Sequence, residues 1–173
     1  MKKGLVSGIV MSILLISGIS EAIVTKLVIR ARSKDAKFVG TKMGGALVVI
    51  RDSKTGKVLV EGMTAGSTGD TQKIMIEPKA RFGRIADGSA QFETSLDIDE
   101  PTLITISVAA PYLYKDNMIE SSTQMWLIPG KDLAGEGVIV EVPGFSIDAR
   151  APEKVRLVNN RSAIPIEASI VMI

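Results

Sequence analysis

The chain has 173 residues, with 21 basic and 19 acidic side chains, and it has neither histidine nor cysteine. Without an imidazole or a thiol, Ser-His-Asp and Cys-His nucleophile systems are excluded, as are zinc or haem held by those residues, iron–sulfur clusters and disulfides. A net charge of +2 gives no nucleic-acid footprint over the whole chain. A composition that is 46% hydrophobic but only 4% aromatic favours a core of β-branched residues, and hence strands.

The chain opens with "MKKGLVSGIVMSILLISGISEA". Lys2 and Lys3 precede an apolar run from Leu5 to Ile19, and Ser20-Glu21-Ala22 then puts small residues at the two positions a signal peptidase reads. The run falls short of the ~20 residues a membrane-spanning helix needs. Residues 1–22 are therefore expected to be a signal peptide, and 23–173 a single exported domain, periplasmic, secreted or on the cell surface. The alternative is an uncleaved anchor, which would be the protein's only membrane contact.

From Ile23 onward the hydrophobic period is two. In "TKLVIRAR", Thr25, Leu27, Ile29 and Ala31 point one way, and Lys26, Val28, Arg30 and Arg32 the other. The basic side chains of this segment belong on the wet face of an edge strand, where charge discourages unwanted pairing. The alternative is that Lys26, Arg30 and Arg32 form a docking surface for an acidic partner. Ala46 to Ile50 is apolar on both faces and predicts a strand buried on both sides. Cleaner alternation follows at Phe92, Leu96 and Ile98, at Ile104, Ile106 and Val108, and at Val138, Val140 and Val142. The last segment places Ile164, Ile166, Ala168, Ile170 and Met172 on one face. Turn signals stand at Lys54-Thr55-Gly56, Asp87-Gly88, Pro129-Gly130 and Pro143-Gly144. No segment carries a capped helical stripe. The expected fold is all-β: an antiparallel, immunoglobulin-like or transthyretin-like β-sandwich of about seven to nine strands.

Three features are candidates for chemistry. The stretch "SKTGKVLVEGMTAGSTGDT" is rich in Gly, Lys and Thr, but Gly56-Lys57 leads into Val58 and a strand. A phosphate loop needs Ser or Thr there and a helix to follow, so Asp52 to Lys57 reads as a hairpin turn. Asp97, Asp99 and Glu100 in "LDIDEP" are candidate ligands for a hard cation, or one half of a carboxylate pair for glycoside hydrolysis. Nothing nearby completes a cation cage, so a solvated strand end is the plainer reading. Among the aromatics, Trp126 in "STQMWLIPG" belongs in the core, whereas Tyr112 and Tyr114 begin a loop and should leave at least one ring exposed. An exposed ring could anchor a protein contact or stack on a sugar. No cofactor is expected.

"GGALVVIRDSKTGKVLVEGMTAGSTGDT" followed by "AQFETSLDIDEPTLITISVAAPYLY" resembles the transthyretin-like, carboxypeptidase regulatory-like β-sandwich family. The matching positions are Gly45, Ala46, Val48, Asp52, Thr55, Gly56, Lys57, Val58, Thr64, Gly69, Phe92, Leu96, Ile104, Val108 and Tyr112. The resemblance covers about half of the exported chain and implies an accessory or interaction module. The family's hydrolase branch depends on histidines that this chain lacks, so that activity does not carry over. The expected function is a non-catalytic module that binds a protein or polysaccharide partner at the cell envelope. One alternative is a filament subunit that self-assembles through the N-terminal strand Ile23 to Arg32. The other is a carboxylate-dependent hydrolase.

Overall fold

A computed structural model describes residues 22–173; the expected signal segment, apart from Ala22, lies outside the described residues. Nine strands follow in order: β1 (Ile23–Ser33), β2 (Leu47–Asp52), β3 (Val58–Met63), β4 (Phe92–Ile98), β5 (Thr102–Ala110), β6 (Ile119–Leu127), β7 (Leu133–Val142), β8 (Phe145–Arg150) and β9 (Glu167–Met172). A three-stranded sheet β4-β1-β7 faces a four-stranded sheet β3-β2-β5-β6, and β8 with β9 makes a separate two-stranded sheet. The fold is the expected all-β sandwich, but its first sheet is not purely antiparallel. β1 runs antiparallel to β4 but parallel to β7, so the first sheet is mixed.

The period-two pattern accounts for the core. Leu27, Ile29 and Ala31 of β1 meet Val48 and Ile50 of β2 and Ile104, Ile106 and Val108 of β5, all at most 1% exposed. Burying a side chain of this size contributes about 1.5–3 kcal/mol, so this one layer supplies most of the driving force. β2 departs from expectation. Val48 and Ile50 are buried, whereas Leu47 and Val49 are only half-buried on the outer face of their sheet. A run apolar on both faces marks a strand central within its sheet, but here the second face is only partly covered.

A second, smaller core of Phe38, Ile74 and Ala86, with Ile85 and Ile139 against it, includes residues of the long β3–β4 connection. The connection is tied down by bridges between Ala65 and Gln91 and between Ser67 and Ser89. Val28 and Arg30, on the β1 face opposite the main core, are buried.

The hairpin between β2 and β3 explains the glycine-rich stretch. One Asp52 carboxylate oxygen accepts the Thr55 amide at 2.7 Å, the Lys54 amide at 2.9 Å and the Thr55 hydroxyl at 2.9 Å. Gly56 closes the turn at φ 73°, a left-handed conformation that glycine adopts without strain. The Thr55 amide, then its hydroxyl, then the Lys54 amide and charge hold the Asp52 carboxyl below its ordinary value. A depressed carboxylate stabilises the fold above its unfolded value, near pH 4, and loses that contribution as pH falls through the folded value. The wild type should therefore melt above Asp52→Asn at pH 7, and the gap should narrow as the pH falls below about 4. A gap that stays constant on acidification would show that the charge is not what holds the turn.

Candidate interaction site

The predicted basic surface does not exist as such. β1 is not an edge strand but lies between β4 and β7. Lys26 is exposed near its start, Arg32 is half-buried against Glu141 at 2.6 Å, and Arg30 is only 4% exposed. Arg30 is therefore not a partner-binding residue. Its Nη1 donates to the Ser89 carbonyl at 2.8 Å and the Ser89 hydroxyl at 2.9 Å, its Nε to the Glu136 carbonyl at 3.2 Å, and its Nη2 to the Gly135 carbonyl at 3.2 Å.

The sequence Gly135-Glu136-Gly137 makes this possible. The β1–β7 register shifts here, with Leu27 opposite Leu133 but Ile29 opposite Val138, so β7 bulges and turns two carbonyls toward the guanidinium. Gly137 sits at φ 67°, and a Cβ there would stand 2.3 Å from the Val28 carbonyl oxygen. The Glu136 carboxylate accepts the Ile85 amide at 3.1 Å and the Ala86 amide at 3.4 Å. Burial lowers the Arg30 pKa, and the charges of Glu136, Asp87 and Glu93 oppose that shift.

One guanidinium thus clamps β1, β7 and the end of the β3–β4 connection. Arg30→Met should leave the carbonyls without their donor and cost about 3 kcal/mol. Arg30→Lys should recover little, because a single ammonium cannot fork to separated acceptors. Urea unfolding midpoints at unchanged m-value would check both. A midpoint restored by Lys would mean that the charge matters and the fork does not.

The other predicted residues are scattered. Asp97 pairs with Val24 across β4 and β1, and Asp99 and Glu100 lie in the bend before β5. Among the described residues, no three His, Cys, Asp or Glu side chains come together as a metal-holding group. Trp126 is not in the core. It is 54% exposed on the outer face of β6, opposite Leu103 of β5, with Lys54 Nζ 5.9 Å from its ring centroid. The alternation of β6 buries Leu127 instead, so the ring takes the outward position. Beside it Gln124 donates to Thr105 at 3.1 Å. Tyr112 is half-buried, with Lys115 Nζ 4.8 Å from its ring centroid, and Tyr114 is 40% exposed.

The surface that sequence reasoning missed is the β8–β9 arm. Its register puts Phe145 opposite Met172, Ile147 opposite Ile170, and Ala149 opposite Ala168. These six share one face, and the four large side chains are 56%, 67%, 60% and 62% exposed in that order. The opposite face carries Ser146, Asp148, Arg150, Glu167 and Ser169 with Val171, and it meets the body at its base while Arg150, Glu167 and Ser169 stay exposed. Ser146 is buried and donates to the Asn117 carbonyl at 2.7 Å, and Asp148 pairs with Arg150 at 2.8 Å. Between this polar face and the Leu113–Asn117 loop lies an open cleft of about 500 Å³, which Tyr114 also lines.

Beyond the strands, residues 151–166 add Leu157, Ile164 and Ile166, exposed at 66%, 54% and 71%. Asn159 and Asn160, both left-handed, form a tight turn there between Val158 and Arg161. The sequence signal was the alternation through residues 164–172, which was read as a face without knowing where it pointed. A two-stranded hairpin is marginal in water unless a further layer covers its apolar face. Comparison of the chain with protein-family models, curated proteins and solved structures gives no match.

Proposed function

We propose that the protein is a non-catalytic interaction module whose C-terminal β-hairpin arm binds a protein partner. The observation that carries this reading is the exposed, uncharged face of Phe145, Ile147, Ile170 and Met172, on an arm whose opposite face meets the body at its base. Contiguous apolar surface presented in this way marks an interaction site. The missing histidine and cysteine support a non-catalytic role. The N-terminal lysine pair, apolar run and small residues support export, which would place the contact at the cell envelope. The Asp52 turn and its flanking strands support a transthyretin-like module, a scaffold that displays contact surfaces.

Assembly through Ile23 to Arg32 has less support than contact through the arm. β1 would have to leave both β4 and β7 to complete a neighbour's sheet, and Arg30 would lose its acceptors. The arm has open strand edges and needs no such release.

The test uses residues 22–173 immobilised against the exported fraction of the source cell. Ile147→Asp with Ile170→Asp should reduce the retained partner by at least about tenfold, the effect of removing a central apolar anchor. Equal retention by wild type and variant would end the proposal.

A second reading has one observation in its favour. Trp126, beside Gln124 and the Ser and Thr side chains of β5 and β6, offers a flat surface on which a sugar ring can stack. On that reading polysaccharides should slow the protein in affinity electrophoresis, and Trp126→Ala should abolish the shift. Retardation that persists in Trp126→Ala would exclude this face.

A further inference from the structure

We infer that the arm's partner is a second copy of this chain, packed apolar face to apolar face about a two-fold axis. The inference rests on the reading of the arm given above and names the occupant. Chemistry, area and shape point to it.

The face presents Phe145, Ile147, Ala149, Ala168, Ile170 and Met172 and carries no charge. Two identical copies therefore meet without the like-charge juxtaposition that prevents a charged patch from pairing with itself.

The area is sufficient. A large apolar side chain offers about 200 Å², so four that are 56–67% exposed offer roughly 500 Å² per copy. Two copies bury roughly 1,000 Å², the level at which a specific interface separates from an adventitious one. The distal Leu157, Ile164 and Ile166, exposed at 66%, 54% and 71%, take the total well beyond it.

The shape fits an isologous contact. With the two-fold axis set across the arms, each arm runs antiparallel to the other, and the distal end of one lies over the base of its partner. At the base the track meets a groove of about 360 Å³ on the body, whose lining joins Phe38, Met43, Met75 and Met172 with the charged Asp35 and Lys37. The arrangement delivers to that groove the distal segment, where the apolar Leu157, Ile164 and Ile166 stand among the exposed charges of Glu153, Lys154, Arg156 and Arg161. The pair becomes a small two-layer sandwich with its sheets about 10 Å apart, which gives each hairpin the layer it needs.

Sedimentation velocity of residues 22–173, the segment that holds all nine strands, reads the outcome. Between about 1 and 100 μM the wild type should pass from monomer to dimer. The double variant Ile147→Asp, Ile170→Asp should raise the dissociation constant by at least about 100-fold, with the far-ultraviolet circular dichroism and the Trp126 emission unchanged.

A second measurement does not depend on introducing charge. The chain has no cysteine of its own, so Ile147→Cys should cross-link copies under mild oxidation, and Ser169→Cys on the opposite face should not. A wild type that stays monomeric throughout, or equal cross-linking at the two positions, overturns the second-copy inference. If that monomer still captures another exported protein through the arm, the wider reading stands without it. A dimer that survives the double variant overturns pairing through the arm, and the wider reading then falls only if capture is also equal for wild type and variant.

Discussion

The sandwich is organised around one buried cation. Arg30 lies on the strand that joins the two halves of its sheet, and its guanidinium reaches carbonyls that belong to β7 and to the long β3–β4 connection. A buried charge in this position is tolerated only when its donors are matched. The chain matches them by bulging β7 at Gly135-Glu136-Gly137, where a side chain at Gly137 would collide with the β1 backbone. The parallel β1–β7 pairing, the covered second face of β1 and the anchoring of residues 85–89 all converge on this contact. The Glu136 carboxylate extends it by holding the amides of Ile85 and Ala86.

That constraint also bears on where the molecule can make contacts. With β1 held on both sides and on both faces, the N-terminal strand is committed to its own sheet. On the reading proposed above, contact falls to the arm, which hangs from Pro143-Gly144 and meets the body through Ser146 at its base. An exposed apolar face costs stability for an isolated hairpin, and a partner layer would offset that cost. The chain thus joins a packed sandwich to an arm with one exposed apolar face. The Trp126 face is separate from the arm in sequence and sheet, with one aromatic ring beside Leu103, Lys54 and Gln124.

Much of the body was legible residue by residue. Asp52, Thr55 and Gly56 spell a turn because their side-chain and backbone preferences act within a few residues. The buried positions of β4, β5 and β7 follow from strict alternation, which is also local. The candidate site was far less legible. Arg30 looked like the wet side of an edge strand because its covering layer comes from residues about sixty and a hundred positions away. Trp126 looked like core because large aromatics usually are, whereas its strand gave the inward position to Leu127. Asp97, Asp99 and Glu100 shared a neighbourhood in sequence, but among the described residues the fold brings no metal-holding group together around them.

The sequence by itself determined the all-β class, the places where the chain turns, the residues that share each strand face, and the catalytic and metal chemistries ruled out by missing imidazole and thiol groups. These depend on local backbone geometry and on the inventory of side chains. Only the tertiary structure decided which face of each strand is covered. It made β1 an interior strand, buried Arg30, turned Trp126 outward, and left Phe145, Ile147, Ile170 and Met172 on the surface. The reason is that a period of two defines two faces without ranking them. The ranking comes from segments distant in sequence, through the apolar area they cover and the polar groups they satisfy.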